Sequence, residues 1–455
     1  MWRGPALSEC RRGPRPRKDG IIRTVALGIY ISVPFCKTKC SYCNFASDVF
    51  SRAVFERYVD RVCADIASAR RIANEMGGQI EQQVDSIYLG GGTPTVLETR
   101  QLQRMFETVR AQFPVRPDAE VTVECAPGTL GPEVVEGLLC CGVNRVSLGV
   151  QSFVDAEAAA VGRLHKRSTV LDDIARLRGA GITNINVDLI AGLPHQTAET
   201  WQQSLDETLA TGAAHVSVYM LEVDEGSRLG REVIAGGTRY HAHFVPDEEA
   251  TADFYLAACE QLEAAGIAQY EISNFARPGS ESRHNLKYWT RQPYLGFGVD
   301  AHSMLPSRPE RRIDAPPEDT FREGHDFSRP DSTQDTGQGF SPRGNCIDSV
   351  RFSTADALEK YVAASPLLKT IVSCEGALEE SFFLGLRLNR GVNLPEIAAR
   401  FGQQEIDNFR PAIAELITDG LLQQDRDSIR LTPRGRLLSN EVFQAFLVPS
   451  LPSQV

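Results

Sequence analysis

Three cysteines crowd into the stretch YISVPFCKTKCSYCNFAS, residues 30–47: Cys36, Cys40 and Cys43. The spacing C-x3-C-x2-C puts three thiols on one loop, and two kinds of metal site compete for them. Structural zinc takes four closed ligands, commonly from paired C-x2–4-C motifs or from cysteine and histidine together. No second pair in the chain is spaced to complete such a set; the histidines of HAH, His241 and His243, are distant and read as solvated. An iron–sulfur cluster suits the motif better, because thiolates hold a 4Fe–4S cluster and three of them leave one iron open. An open iron accepts a small chelating ligand. The amino and carboxylate groups of S-adenosylmethionine form such a chelate, and radical chemistry can then begin at the sulfonium.

A loop with that task needs a rigid element beneath it. The apolar run VALGIYISV (25–33) leads directly into it. Further strand-like runs follow at 84–92, 120–127, 145–152, 184–192 and 215–223, with a seventh at 268–276. Amphipathic helical stretches alternate with them at 52–76, 98–112, 132–141, 167–180, 197–211 and 248–265. Strand and helix in alternation imply βαβ units and a parallel sheet. Six or seven such units build a full or partial α/β barrel, whose sites lie at the C-terminal ends of the strands. Those ends carry polar groups. GGGTPT (90–95) ends the second run and Glu124 the third; Gln151 ends the fourth, Arg163 follows it, and Asp188 lies in the fifth. Glycines without Cβ let backbone approach a ligand. Carboxylates pair with hydroxyls, and guanidinium pairs with carboxylate. Each residue alone also reads as a turn, a cap or a surface ion pair; it is their recurrence on one face that points to a site.

The rest of the chain bounds the function. The 455 residues, 42% hydrophobic, suffice for a barrel plus an appendage, and no apolar run is long enough to span a membrane. A net charge of −11 opposes a nucleic-acid-binding role. Residues 1–24, basic and rich in Pro and Gly, lack an apolar core and read as a disordered extension rather than a secretory signal. The eight scattered cysteines read as small buried hydrophobes of a reduced, cytoplasmic protein. After a barrel domain at 25–305, the segment 306–347 is rich in Pro, Gly, Ser and charge and reads as a disordered insertion. Residues 348–455 read as a mostly helical unit in winged-helix-like order, with a hairpin at DRDS and a helix opening at TPRG.

CKTKCSYC after a strand resembles the radical SAM superfamily. More narrowly, YISVPFCKTKCSYCNF, YLGGGTPT, NRVSLGVQSF, DLIAGLP and YEISNFARPG…HNLKYW…YLGFGVDAHS are together similar to the oxygen-independent coproporphyrinogen III oxidases and their heme-chaperone paralogues. FFLGLRLNRGV…LTPRGRLLSN extends the similarity into the C-terminal part; it is lost before Thr24 and over 306–345. The resemblance implies that Cys36, Cys40 and Cys43 bind a 4Fe–4S cluster. It implies that Gly92, Thr93, Gln151, Arg163 and Asp188 hold S-adenosylmethionine, with Tyr42 nearby. Tyr30, Gly91 and Glu124 match positions that hold a second S-adenosylmethionine in the oxidases.

Two features separate the paralogues. The oxidases carry a fourth cysteine two positions after the third, where this chain has Phe45, and they have a longer N-terminal region. HNLKYW, residues 284–289, resembles a chaperone motif linked to heme binding: His284 would ligate iron, beside Asn285, with Tyr288 and Trp289 stacked on the macrocycle. Packing of the same aromatics on the barrel is the competing reading. The resemblance thus implies a cytoplasmic protein that binds the cluster, S-adenosylmethionine and heme. It would hand heme to acceptor hemoproteins such as respiratory enzymes, some met at the membrane surface. The alternative is anaerobic oxidative decarboxylation of coproporphyrinogen III.

Overall fold

The computed structural model describes residues 25–81, 83–308 and 346–447. The expected N-terminal extension and nearly all of the expected insertion lie outside the described residues. The alternation read from the sequence is realised as Leu27–Val33 (β1), Phe55–Met76 (α1), Val84–Gly91 (β2), Thr99–Gln112 (α2), Val115–Cys125 (β3), Pro132–Cys140 (α3) and Arg145–Gln151 (β4). It continues with Asp155–Ala160 (α4), Arg167–Gly179 (α5), Asn184–Ala191 (β5), Ala198–Ala210 (α6), His215–Met220 (β6), Arg228–Ile234 (α7) and Glu248–Ala264 (α8). β1 to β6 pair in sequence order, all parallel.

The period of two gives each strand two faces. Ile29, Ile31, Ile87, Leu89, Val146, Leu148, Val187 and Leu189 are fully buried in one core with the helices. Burial of each is worth about 1.5–3 kcal/mol, which holds the helices to the sheet. The alternate residues are polar and bond to one another across the concave side. Tyr88 Oη donates to Glu124 (2.8 Å), Ser147 Oγ to Asp188 (3.1 Å), and Asn186 Nδ2 to Ser217 (3.0 Å). One apolar and one polar face make a partial barrel with a hydrophilic interior.

The expected seventh strand is instead a tight hairpin, Ala268–Glu271 (β7) and Asn274–Ala276 (β8), with β8 antiparallel to β6. The buried carboxylate of Glu271 breaks the run by accepting the Ser273 amide at 3.0 Å and the Asn274 side chain. Arg283–Trp289 (α9) follows, and Tyr294–Gly298 (β9) then pairs parallel with the other edge of β1. His302–Pro306 (β10), Ile347–Ser353 (β11), Leu358–Val362 (α10) and Leu368–Ser373 (β12) complete a twelve-stranded sheet. Residues 347–373 were assigned from sequence largely to the C-terminal unit; their strands belong to the barrel sheet, because the edge of β10 is paired by β11 from Ser303↔Phe352 to Leu305↔Val350. Cys346 and Cys374, read as reduced, are joined in a disulfide.

The C-terminal unit runs Cys374–Leu386 (α11), Val392–Asn393 (β13), Leu394–Phe401 (α12), Gln403–Asp407 (α13), Arg410–Thr418 (α14), Leu422–Asp425 (β14), Ser428–Leu431 (β15), Pro433–Leu437 (α15) and Ser439–Gln444 (α16). Helix, strand, helices, then a hairpin sheet ordered β13-β15-β14 is the winged-helix-like order expected. It has its own core around Phe382, Ile413, Ile429 and Phe446. Arg291 fastens it to the barrel, bonding Glu380 of α11 (2.8 Å) and Asp348 of β11 (2.9 Å). Among the described residues no helix is long and apolar enough to cross a membrane.

Candidate functional site

The three cysteines lie on the loop between β1 and α1, at the C-terminal end of the barrel. The loop is closed at its base, where Cys36 N donates to Asp48 O (3.0 Å) and Asp48 N to Pro34 O (2.9 Å). Inside it, Lys39 Nζ donates to the carbonyls of Phe45 (2.8 Å) and Ser47 (2.5 Å). Outside, Ser41 N donates to Val161 O (3.1 Å), Leu229 N to Ser41 O (2.8 Å), and the Arg228 guanidinium to Lys39 O. The loop is therefore clamped between the end of α4 and the start of α7 by protein contacts. Burial pushes the Cys36 thiol up, and hydrogen bonds from Ser47 and Thr93 offset this only in part. A bound cation would supply what the protein lacks to deprotonate it.

The strand ends converge on this loop. Gly92 N donates to Val33 O (2.7 Å) and Thr93 N to Phe35 O (2.8 Å), so β2 continues alongside the start of the cysteine loop. A Cβ on Gly92 would lie 2.7 Å from Phe35 O, 2.9 Å from Val33 O and 3.0 Å from Cys36 Sγ. Only glycine fits that cradle. Gly91, at φ +103°, donates its amide to Glu124 Oε2 at 3.1 Å. Arg163 crosses from the end of α4, with one nitrogen 3.6 Å from Cys40 Sγ and the other on Gly149 O. Gln151 sits beside it at φ +69°. Asp188 is held by Asn186 (2.6 Å) and Ser147 (3.1 Å), and burial pushes its carboxyl up. Burial also raises Glu124 to about 7, with the Asp188 charge adding to it.

Thus Cys36, Cys40, Cys43, Gly91, Gly92, Thr93, Gln151 and Arg163 gather at the C-terminal end of the barrel, Glu124 and Asp188 line the interior below them, and Tyr30 stands midway along β1, its ring centre 6.1 Å from Tyr88 and 6.2 Å from His284. Tyr42 packs against a small apolar knot of Val161, Leu193 and Leu229 beside the loop. Tyr88 and Arg228 were not anticipated. Tyr88 is two residues before Gly90 and so shares its face; Arg228 comes from a segment with no motif.

HNLKYW is at the opposite end. The segment from Ser280 to Trp289 crosses the N-terminal ends of β1 to β4. Glu120 accepts the amides of Arg283 and His284, both at 3.1 Å, and Arg145 donates to Ser280 O (2.9 Å). His284 is 1% exposed; its Nδ1 bonds Ser86 (3.0 Å) and its Nε2 bonds Tyr288 (2.9 Å). Lys287 pairs with Asp85 at 2.7 Å. Tyr288 packs edge-on against Tyr294 (4.7 Å), and Arg387, just past the end of α11, lies 4.2 Å over the Trp289 ring. Ser282 caps the helix, its Oγ accepting the backbone amide of Asn285 (3.3 Å). The expected iron ligand therefore has no free ring nitrogen in this conformation, because the helix docks with His284 facing into the barrel floor. The motif closes the barrel and joins it to the C-terminal unit.

Three thiols on one clamped loop, with the backbone-lined cradle at Gly92 beside Cys36, fit a 4Fe–4S cluster that takes three thiolates.

Comparisons with known proteins agree with the geometry. Residues 30–208 match the radical SAM superfamily and residues 372–438 the HemN C-terminal domain. The chain is 32% identical over 422 residues to the heme chaperone HemW of Bacillus subtilis, covering 92% of this chain and 98% of that protein. It is 29% identical over 428 residues to HemW of Escherichia coli, covering 94% and 100%. Among solved structures, the coproporphyrinogen III oxidase HemN of Escherichia coli, a radical SAM enzyme, superposes with a TM-score of 0.72 at 22% identity, over 93% of this chain and 90% of that one.

Proposed function

The chain belongs to the HemW family of radical SAM proteins, and from that membership we propose that it binds a 4Fe–4S cluster, S-adenosylmethionine and heme, and delivers heme to acceptor hemoproteins from the cytoplasm. Cys36, Cys40 and Cys43 would hold the cluster. Gly92 and Thr93 would border the bound S-adenosylmethionine, with Gln151, Arg163 and Asp188 around it. A cluster there supplies one-electron reduction of the sulfonium. The protein's part is to fix the thiol loop and present carboxylates to hydroxyls.

Phe45 carries the choice of hand-over against oxidation. It occupies the position of the oxidases' fourth cysteine, and its ring is 65% exposed. A second reading, oxidative decarboxylation of coproporphyrinogen III, is supported by one observation: Gly91 and Tyr88 both donate to Glu124, and Tyr30 lies beside Tyr88, so the three positions that match the oxidases' second S-adenosylmethionine site are neighbours. One sample separates the two. After anaerobic reconstitution, the same preparation is titrated with heme and assayed with coproporphyrinogen III, S-adenosylmethionine and reductant. Heme binding with no protoporphyrinogen formed is expected; conversion to protoporphyrinogen would overturn the chaperone reading.

A further inference from the structure

Cys346 and Cys374 meet where two elements that grip the HNLKYW segment begin. Cys346 precedes β11 and Cys374 is the first residue of α11; their Cα atoms are 5.5 Å apart, and Cys374 N donates to Cys346 O at 3.0 Å. Strand pairing continues beside them, with Ile347 opposite Ser373, so the sheet alone brings the two cysteines together. Cys346 is exposed and Cys374 half-buried, which puts the bridge within reach of a small thiol. Among the described residues no other pair is bridged; Cys63, Cys125, Cys140, Cys141 and Cys259 stay free. In a reducing compartment an accessible bridge of this kind is usually transient or redox-sensing rather than structural.

Both bridged elements send a carboxylate to one guanidinium. Asp348 of β11 and Glu380 of α11 bind Arg291 at 2.9 Å and 2.8 Å, and the Arg291 side chain is buried. Each carboxylate also holds a second arginine, Arg400 on Asp348 (2.6 Å) and Arg351 on Glu380 (3.0 Å). Arg291 lies just past Trp289, at φ +51°, and so ends the HNLKYW segment. The bridge therefore ties together the two arms of the clamp on that segment. Contiguous ion-pair networks of this sort carry coupling between distant groups.

Resting on the cytoplasmic, heme-delivering reading above, we propose that Cys346 and Cys374 are a reversible redox clip on the HNLKYW segment. As a disulfide they fix β11 to the start of α11, hold both carboxylates on Arg291 and keep the motif docked, with both ring nitrogens of His284 bonded. As a dithiol they free the start of α11, slacken the clamp and let His284 release Ser86 and Tyr288 more readily. The exchange needs only a low-molecular-weight thiol and its disulfide, such as glutathione. One glutathione thiolate attacks the exposed Cys346 sulfur, forms a mixed disulfide and releases Cys374 as a thiolate at the N-terminus of α11, where the helix dipole favours negative charge. A second glutathione thiolate attacks the glutathione sulfur of the mixed disulfide, and Cys346 leaves as a thiolate. The bridge takes up two electrons, two glutathiones become one glutathione disulfide, and the protein thiolates take protons from water. Oxidation runs the same steps in reverse.

The test uses the full chain with its cluster reconstituted. After anaerobic equilibration in glutathione buffers of rising oxidised fraction, alkylation and digestion, the Cys346 and Cys374 peptides are expected to pass reversibly from dithiol to disulfide. A pair that stays bridged in fully reduced glutathione, or stays free in fully oxidised glutathione, would overturn the clip. Amide hydrogen exchange over residues 280–291 is expected to be slower in the bridged form; equal exchange in the two forms would overturn the link to the motif. Glu380→Gln loosens the clamp and leaves the sulfurs alone, so it is expected to erase that difference, and a difference that survives it would overturn the route through Arg291. With free thiol removed, hemin is expected to bind the dithiol form about five- to tenfold tighter than the bridged form, with Cys346→Ser matching the dithiol form. Equal hemin affinities would overturn the effect on heme. A Cys346→Ser chain that matches the bridged form would do so too, by making the free thiols the cause. If no form binds hemin while thiol trapping and exchange behave as expected, the heme reading falls and the clip stands.

Discussion

Arg163 and Cys40, separated by 123 residues in sequence, meet at 3.6 Å between guanidinium nitrogen and sulfur. The second nitrogen of Arg163 holds Gly149 O at the end of β4. One side chain thus ties the thiol loop to the barrel. Arg163→Ala is expected to keep the fold but lower iron retention after reconstitution, and Arg163→Lys to restore it only in part, because an ammonium cannot span both partners. Iron and sulfide content per chain, with circular dichroism for the fold, checks this. Full iron content in Arg163→Ala would contradict it.

Gly92 tests the cradle. Alanine there meets two backbone carbonyls and Cys36 Sγ at 3.0 Å or less, none of which can move freely. A cost of about 1–3 kcal/mol in unfolding free energy is expected, with loss of the cluster. Gly179→Ala at the end of α5 is the control: a Cβ there has no neighbour within 4 Å. It is expected to be neutral or to stabilise by about 0.5–1 kcal/mol. Equal effects of the two changes in a denaturation series would count against the cradle.

Two buried groups give opposite pH slopes. Glu124 titrates at about 7 in the folded chain against 4.5 in the unfolded one, so the folded state holds the extra proton between those values. Its contribution is complete below about 4.5 and is lost as pH rises through about 7. His284 is lowered by burial, and by the nearby Lys287, to about 3 from 6.5, so here the unfolded state binds the extra proton. Its contribution is complete above 6.5 and is lost as pH falls through about 3. Thermal midpoints of the cofactor-free chain across pH should therefore fall less toward neutrality in Glu124→Gln, and less toward acid in His284→Gln, than in the unmodified chain. Parallel curves would contradict both assignments.

The barrel was legible because its signals are local. Alternation in NINVDLIAG and the glycines of GGGTPT place Asp188 on the polar face of a strand and Gly92 at a strand end with no knowledge of the rest of the chain. What was not legible depends on docking. HNLKYW reads equally well as a ligand-bearing loop or a packed helix; the choice is made by Glu120, which captures the start of α9 and turns His284 onto Ser86. The hairpin at 268–276 hangs on Glu271, an acidic residue that the strand pattern counts as an exposed position but the fold buries. The Cys346–Cys374 bridge spans elements whose pairing only the sheet reveals.

A 4Fe–4S cluster held by Cys36, Cys40 and Cys43 would leave its fourth iron without a protein ligand. Mössbauer spectroscopy of the anaerobically reconstituted chain, with and without S-adenosylmethionine, measures this directly. The expected result is about four irons per chain, with one of the four changing its signal when S-adenosylmethionine is added. A preparation that takes up zinc in place of iron, or four irons that stay unchanged on addition, would contradict it.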